Sequence, residues 1–202
     1  MVLTIACIVE GQGEIEAVPL LVRRVAAAID PSVGISTPRP IRLPRSKLKR
    51  QGELERAVQF AALRAGPHGA VLLVQDADAD CAPKLAPELL HQARAVSGGR
   101  AVSVVLAKWE FEAWFVAAAE SLRGLRGLGA DITAADDPEA IQGAKEWLSS
   151  RMQPGMSYRE TRDQAALANA FDIDVARRAP SFDKFYREIE RLLRDLAATA
   201  YP

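Results

Sequence analysis

Cysteine and histidine are nearly absent, with two of each in 202 residues. Cys7 lies in an apolar strand pattern and Cys81 ends an acidic run. With no cysteine framework, free thiols and a reducing compartment are expected. His68 and His91 lie far apart in the pattern, which argues against a histidine metal site or a catalytic triad. Net charge is also missing, because 26 basic residues balance 26 acidic ones. No global field therefore draws the chain to nucleic acid or membrane, and any such contact must come from a local patch. No long hydrophobic run is present. The first apolar stretch, VLTIACIV, is too short to span a membrane and has no basic segment ahead of it to make a signal peptide. A soluble, cytoplasmic protein without membrane contact is expected. Gly11-Gln12-Gly13 lacks the third glycine of a dinucleotide-binding turn, and no Walker lysine-serine pair follows a glycine loop. There is no internal repeat and no low-complexity tract.

What is present suffices for a folded core, at 49% hydrophobic and 26% charged residues. The length fits one domain, or an α/β core with a smaller helical appendage. Val2–Val9 reads as a buried strand ending at Glu10-Gly11, and a helix follows from Glu14 to Ala28. Residues 30–40 read as a loop, and Ile41–Leu43 as a short strand. Glu53–Ala65 has helical periodicity. Val71–Val74 is an apolar strand running into Asp76, Asp78 and Asp80. A helix over Pro83–Val96 and a strand over Ala101–Leu106 follow. This alternation predicts a Rossmann-like, mostly parallel four-stranded sheet flanked by helices. In the second half of the chain only helices are expected: one from Glu110 to Ala119, one from Pro138 through Trp147 to Met152 with Asp137 as its cap, one over Thr161–Ala170, and one over Phe182–Ala198 capped by Ser181. Residues 1–120 are thus read as an α/β core and 121–202 as a C-terminal helical extension packed on it.

Sites in such sheets form beyond the carboxyl ends of the strands. Glu10, Asp76, Lys108, Glu110 and Glu112 all fall at that edge. If the chain stays extended, Asp76, Asp78 and Asp80 point the same way. Three like charges at a buried strand end are costly unless a cation neutralises them. A divalent-metal site and a solvated acidic turn are the two alternatives. Glu10, Asp76 and Asp78 offer the oxygen ligands of a Mg²⁺ (or Mn²⁺) site, and Glu10 could instead act as a general acid or base. Glu110 could complete a second metal position, while Asp80, Glu112 and Glu14 are further candidate ligands. Lys108 could stabilise phosphate charge, or be a solvated lysine at a strand end. Arg39 to Arg50 is a basic run without an acid. Within it Arg42, Arg45, Lys47, Lys49 and Arg50 are candidate phosphate contacts, on a loop broken by Pro40 and Pro44.

A hydrophobic strand ending in Glu-Gly (Ile8–Gly11, IVEG) and a later one ending in Asp-x-Asp (Val74–Asp78, VQDAD) resemble the Toprim domain of topoisomerases, bacterial primases, recombination proteins and overcoming-lysogenization-defect (OLD) nucleases. With RLPRSKLKR, AKWEFEAWF and the C-terminal SFDKFYREI segment, nearly the whole chain is similar to the Toprim-like domain-of-unknown-function family 4276. The resemblance assigns the family glutamate to Glu10 and its metal-binding aspartates to Asp76 and Asp78. It implies a Mg²⁺-dependent nuclease or phosphodiesterase acting on nucleic acid, in bacterial anti-phage defence. It equally allows a non-catalytic partner module of an ATPase complex. The sequence departs from the pattern where Asp80-Cys81-Ala82 replaces the glycine usual after Asp-x-Asp, which leaves Asp80 as either ligand or turn residue. A topoisomerase is excluded by length, with no winged-helix or tyrosine-nucleophile domain, and no zinc segment points to a primase.

Overall fold

A computed structural model describes residues 2–200. Its sheet is parallel throughout. β1 (Val2–Val9), β4 (Ala70–Asp76) and β5 (Ala101–Ala107) pair in that order. β2 (Gly34–Ser36) and β3 (Ile41–Arg42) pair with successive parts of β1, making five strands in all. The fifth strand is β2, which lies in the segment expected to be loop. Three residues, mostly exposed, are too few to show a period.

The central strands are apolar on both faces because both are covered. Ile5, Cys7, Val9, Leu72 and Val74 point into one hydrophobic cluster. Their neighbours Ala6, Ile8, Val71 and Leu73 point into the other, as the two-residue period of a strand requires. α1 (Glu14–Ile29) and the C-terminal helices cover the first face. α2 (Arg45–Leu48), α3 (Glu53–Ala65) and α4 (Ala82–Val96) lie toward the second. α2 is a single turn inside the basic run, where a loop was expected. Pro44 precedes it in an extended conformation, as a residue just before a helix can, and so does not break it.

The C-terminal part departs most from the sequence expectations. α5 is only Ala113–Ala117, and a 3-10 turn follows at Ala119–Leu122. The helix expected from Pro138 to Met152 shrinks to α6 (Ala144–Ser149), because Gly143 adopts φ 79° and stops any helix from running through it. Asp137 still works as a local cap, accepting from the amides of Glu139 and Ala140. A π-helical turn, Glu160–Gln164, precedes α7 (Ala165–Ala170). α8 (Ile173–Ala176) is capped by Asp172. α9 runs over Pro180–Ala200, so Ser181 lies inside it and does not cap it. The Ser181 hydroxyl instead accepts from Trp114 Nε1 at 2.8 Å.

Trp114 and Phe115 pack edge-on or tilted against Phe171, Phe182 and Phe185, and Phe111 packs against Trp114 and Phe115. One cluster thus runs from Leu3 in β1 to Leu196 in α9, so the helical extension shares the core of the sheet. No helix among the described residues is long and apolar enough to cross a membrane.

Candidate functional site

The carboxyl ends of β1, β4 and β5 deliver three acidic segments to one place. Glu10 follows β1, Asp76 ends β4, and Glu110 and Glu112 follow β5. Glu14 joins them from the first turn of α1. Glu10 Oε2 accepts from the Asp76 amide at 3.2 Å. Asp76 Oδ1 accepts from the Phe111 amide at 2.8 Å. Glu14 reaches back to the amides of Glu10 and Gly11, both at 3.1 Å. Glu112 Oε1 accepts from Tyr158 Oη at 2.8 Å and Gln164 Nε2 at 3.0 Å. These bonds tie the ends of three strands to the π-helical turn of the C-terminal part.

The cluster is buried. Asp76 is 8% exposed, Glu14 3% and Glu112 0%, and Glu10 is half-buried. Burial pushes the Glu14 carboxyl up to about 8, and the charge of Glu112 adds to it against the two amide bonds. Burial pushes Glu112 up to about 7, although Lys145 and Tyr158 oppose the rise. Asp76 rises well above its usual range, first from burial and then from Glu14, Glu112 and Glu10. Glu10 is also raised, by burial above all. Four carboxyls thus crowd one site that disfavours their ionised forms.

One cation faces them from the C-terminal part. Lys145 Nζ lies 2.6 Å from Glu160, 3.5 Å from Glu110 and 4.0 Å from Glu112 Oε2. Burial works against its charge, but the surrounding glutamates outweigh it and raise its pKa. Glu112 Oε2 is buried and accepts no hydrogen bond.

Asp78 and Asp80 go elsewhere. The chain does not stay extended past Asp76, since Asp78 sits at φ 47°. Their side chains are 57% and 50% exposed, and both meet Arg45, 3.8 Å from Asp78 and in a close ion pair with Asp80. Arg45 also donates to the Asp76 carbonyl at 3.1 Å, and Arg42 donates to the Glu10 carbonyl at 3.2 Å. These two members of the basic run brace the edge. Lys47, Lys49 and Arg50 stay exposed. Lys108 Nζ sits 4.2 Å over the Trp109 ring.

Gly11 and Gly13 follow β1 without a left-handed backbone; Gly13 has φ −68°. Close approach explains Gly13 instead. A Cβ there would lie 2.2 Å from Gln164 Oε1 and 2.7 Å from the Glu160 carbonyl. Lys145, Tyr158, Glu160 and Gln164 carried no signal in the sequence, being single polar residues without a pattern around them.

Residues 9–190 match the family described as Domain of unknown function (DUF4276). The chain belongs to this family. No curated protein and no solved structure matches the chain. The DUF4276 region begins at the last residue of β1 and ends within α9. It takes in Glu10, Glu14, Asp76 and Glu112 together with Lys145, Tyr158 and Gln164. The donors at the DUF4276 edge are all oxygens, as hard divalent cations prefer, and buried carboxylates call for positive charge. In these respects they fit Mg²⁺ or Mn²⁺. As the side chains stand, no group of three or more His, Cys, Asp or Glu among the described residues is arranged to hold a metal ion. Glu10 and Asp76 each spend an oxygen on a backbone amide, so a cation would have to win those oxygens by side-chain rotation.

Proposed function

We propose that this DUF4276 protein is a Mg²⁺- or Mn²⁺-dependent phosphodiesterase acting on nucleic acid. The observation that carries the proposal is the crowding of Glu10, Glu14, Asp76 and Glu112 at the carboxyl edge of a parallel sheet, with Lys145 as the cation facing them. Carboxyls buried at such density cost stability without a partner, and sites retain such costs for chemistry. Asp76, Glu14 and Glu112 would hold the cation, with Asp78 and Glu110 at the rim and Glu10 as either a further ligand or the general base. When bound there, a divalent cation polarises a phosphodiester and orients an attacking water. Glu10 lies at the half-exposed side of the cluster with its affinity for protons raised, so it can take the proton of the attacking water. Lys145, held by glutamates on the opposite side, supplies positive charge toward the phosphate. Lys47, Lys49 and Arg50 are exposed beside the braced edge and would track the backbone of a nucleic acid.

The place of such an activity would be anti-phage defence, with an ATPase as a possible partner; both follow from the resemblance of the sequence. A non-catalytic docking module would be favoured by a broad apolar patch on the C-terminal helices. Among the described residues there, Met156 and Val175 are the exposed large hydrophobics. Incubation of the protein with circular and single-stranded DNA in Mg²⁺ or Mn²⁺ tests the proposal. Cleavage that disappears in Asp76→Ala and Glu10→Ala supports it, and cleavage that persists in both refutes it.

A further inference from the structure

Trp109 is held in a backbone conformation that a bulky aromatic residue rarely adopts. Its backbone lies in the left-handed region at φ 59°, a strained conformation for a large side chain. A backbone bond fixes it there: the Asp78 amide donates to the Trp109 carbonyl at 3.1 Å. Asp78 is itself left-handed at φ 47°. Two of the three non-glycine residues with positive φ among the described residues are thus tied to each other. They sit directly beyond β4 and β5, flanking Asp76 and Glu110.

The indole stands outside the hydrophobic interior. Trp114 is fully buried in the aromatic cluster, and Trp147 packs against that same cluster. Trp109 belongs to neither hydrophobic cluster and remains partly exposed. The Lys108 ammonium lies 4.2 Å over its ring. A left-handed aromatic residue at this edge, outside both hydrophobic clusters, points to a ligand. An indole backed by an ammonium offers a π-face to another flat ring and a positive charge beside it.

We infer that Trp109 is a base-stacking platform that selects single-stranded or locally unpaired nucleic acid at the acidic edge. A base in a duplex already stacks on both faces, whereas an unpaired base can lay one face on the indole. The Lys108 ammonium beside the ring is then available to the adjoining phosphate. This rests on the phosphodiesterase proposal for its substrate class, but binding can be measured without cleavage.

Full-length protein is titrated in EDTA with a short fluorescent oligothymidine and, separately, with a duplex of the same length. Trp109→Leu is expected to weaken single-strand binding on the order of 10-fold while leaving duplex binding unchanged, and Trp109→Phe to retain most of it, since one stacked base is worth about 1–3 kcal/mol. Trp109→Gly separates a packing role from stacking. Glycine accepts positive φ without strain, so this variant is expected to melt at or above the wild-type temperature while losing single-strand affinity. Single-strand affinity unchanged in Trp109→Leu, or a large drop in melting temperature in Trp109→Gly, would overturn the inference. Absence of cleavage with intact Trp109-dependent binding would count against the phosphodiesterase proposal alone.

Discussion

Glu14 and Glu112 hold carboxyls whose surroundings favour the proton over the charge. An acid whose pKa is higher folded than unfolded binds more protons in the folded state. Its contribution to stability is complete below the ordinary value of 4.5 and is lost as pH rises through about 7 for Glu112 and about 8 for Glu14. Metal-free protein is therefore expected to melt lower at about pH 8.5 than at about pH 5, by on the order of 5–10 °C for a chain of this size. Glu14→Gln should flatten much of that slope, because the amide cannot ionise. A melting temperature that rises steadily with pH would show that the cluster is not strained by its charge. Gly13 makes a second residue-scale case. Gly13→Ala is expected to cost more than about 1 kcal/mol, read from the denaturant midpoint, because the methyl meets Gln164 and a backbone carbonyl with no room to move.

Among the elements, the basic run divides its labour. Arg42 and Arg45 are spent on carbonyls and on the exposed aspartates, so they shape the edge. Lys47, Lys49 and Arg50 are left for a ligand on α2 and just after it. Replacing these three by alanine is expected to weaken DNA binding for every sequence tested and to reduce the slope of log affinity against log salt by roughly 2–3, about one for each lost phosphate contact. An unchanged slope would place the nucleic acid elsewhere. The strands β1, β4 and β5 were legible because continuous apolar runs bounded by glycine and proline have few alternatives. Glu10 and Asp76 could be placed from the same pattern, since a strand end fixes the residue that follows. The equivalence of Asp76, Asp78 and Asp80 was not legible as it turned out. It assumed an extended chain, and a left-handed residue at Asp78 turns the second and third carboxylates out to Arg45. Glu14 and Glu112 were candidate ligands from their nearness to strand ends, but only the convergence of three strand ends makes them buried. Lys145 and Tyr158 come from segments with no pattern of their own, so no local reading could have paired them with Glu112.

Over the whole molecule, the C-terminal helices complete both the core and the site. Phe182, Phe185, Ile189 and Leu192 are fully buried against the sheet cluster, while Lys145, Tyr158 and Gln164 close over the carboxylates. Phe185→Ala is expected to destabilise the entire chain by about 3–5 kcal/mol in one cooperative transition. Loss of the C-terminal signal ahead of the sheet would mean that the two parts fold separately. The site's central property is equally a property of the assembled molecule, because its carboxyls come from three strand ends and the start of α1. Titration of Mn²⁺ at about pH 8, with free Mn²⁺ followed by its electron paramagnetic resonance signal, tests that property directly. The wild-type protein is expected to remove Mn²⁺ from solution saturably, and Asp76→Asn to remove far less. Equal uptake by the two proteins, or none by either, would contradict a cation site at the end of β4.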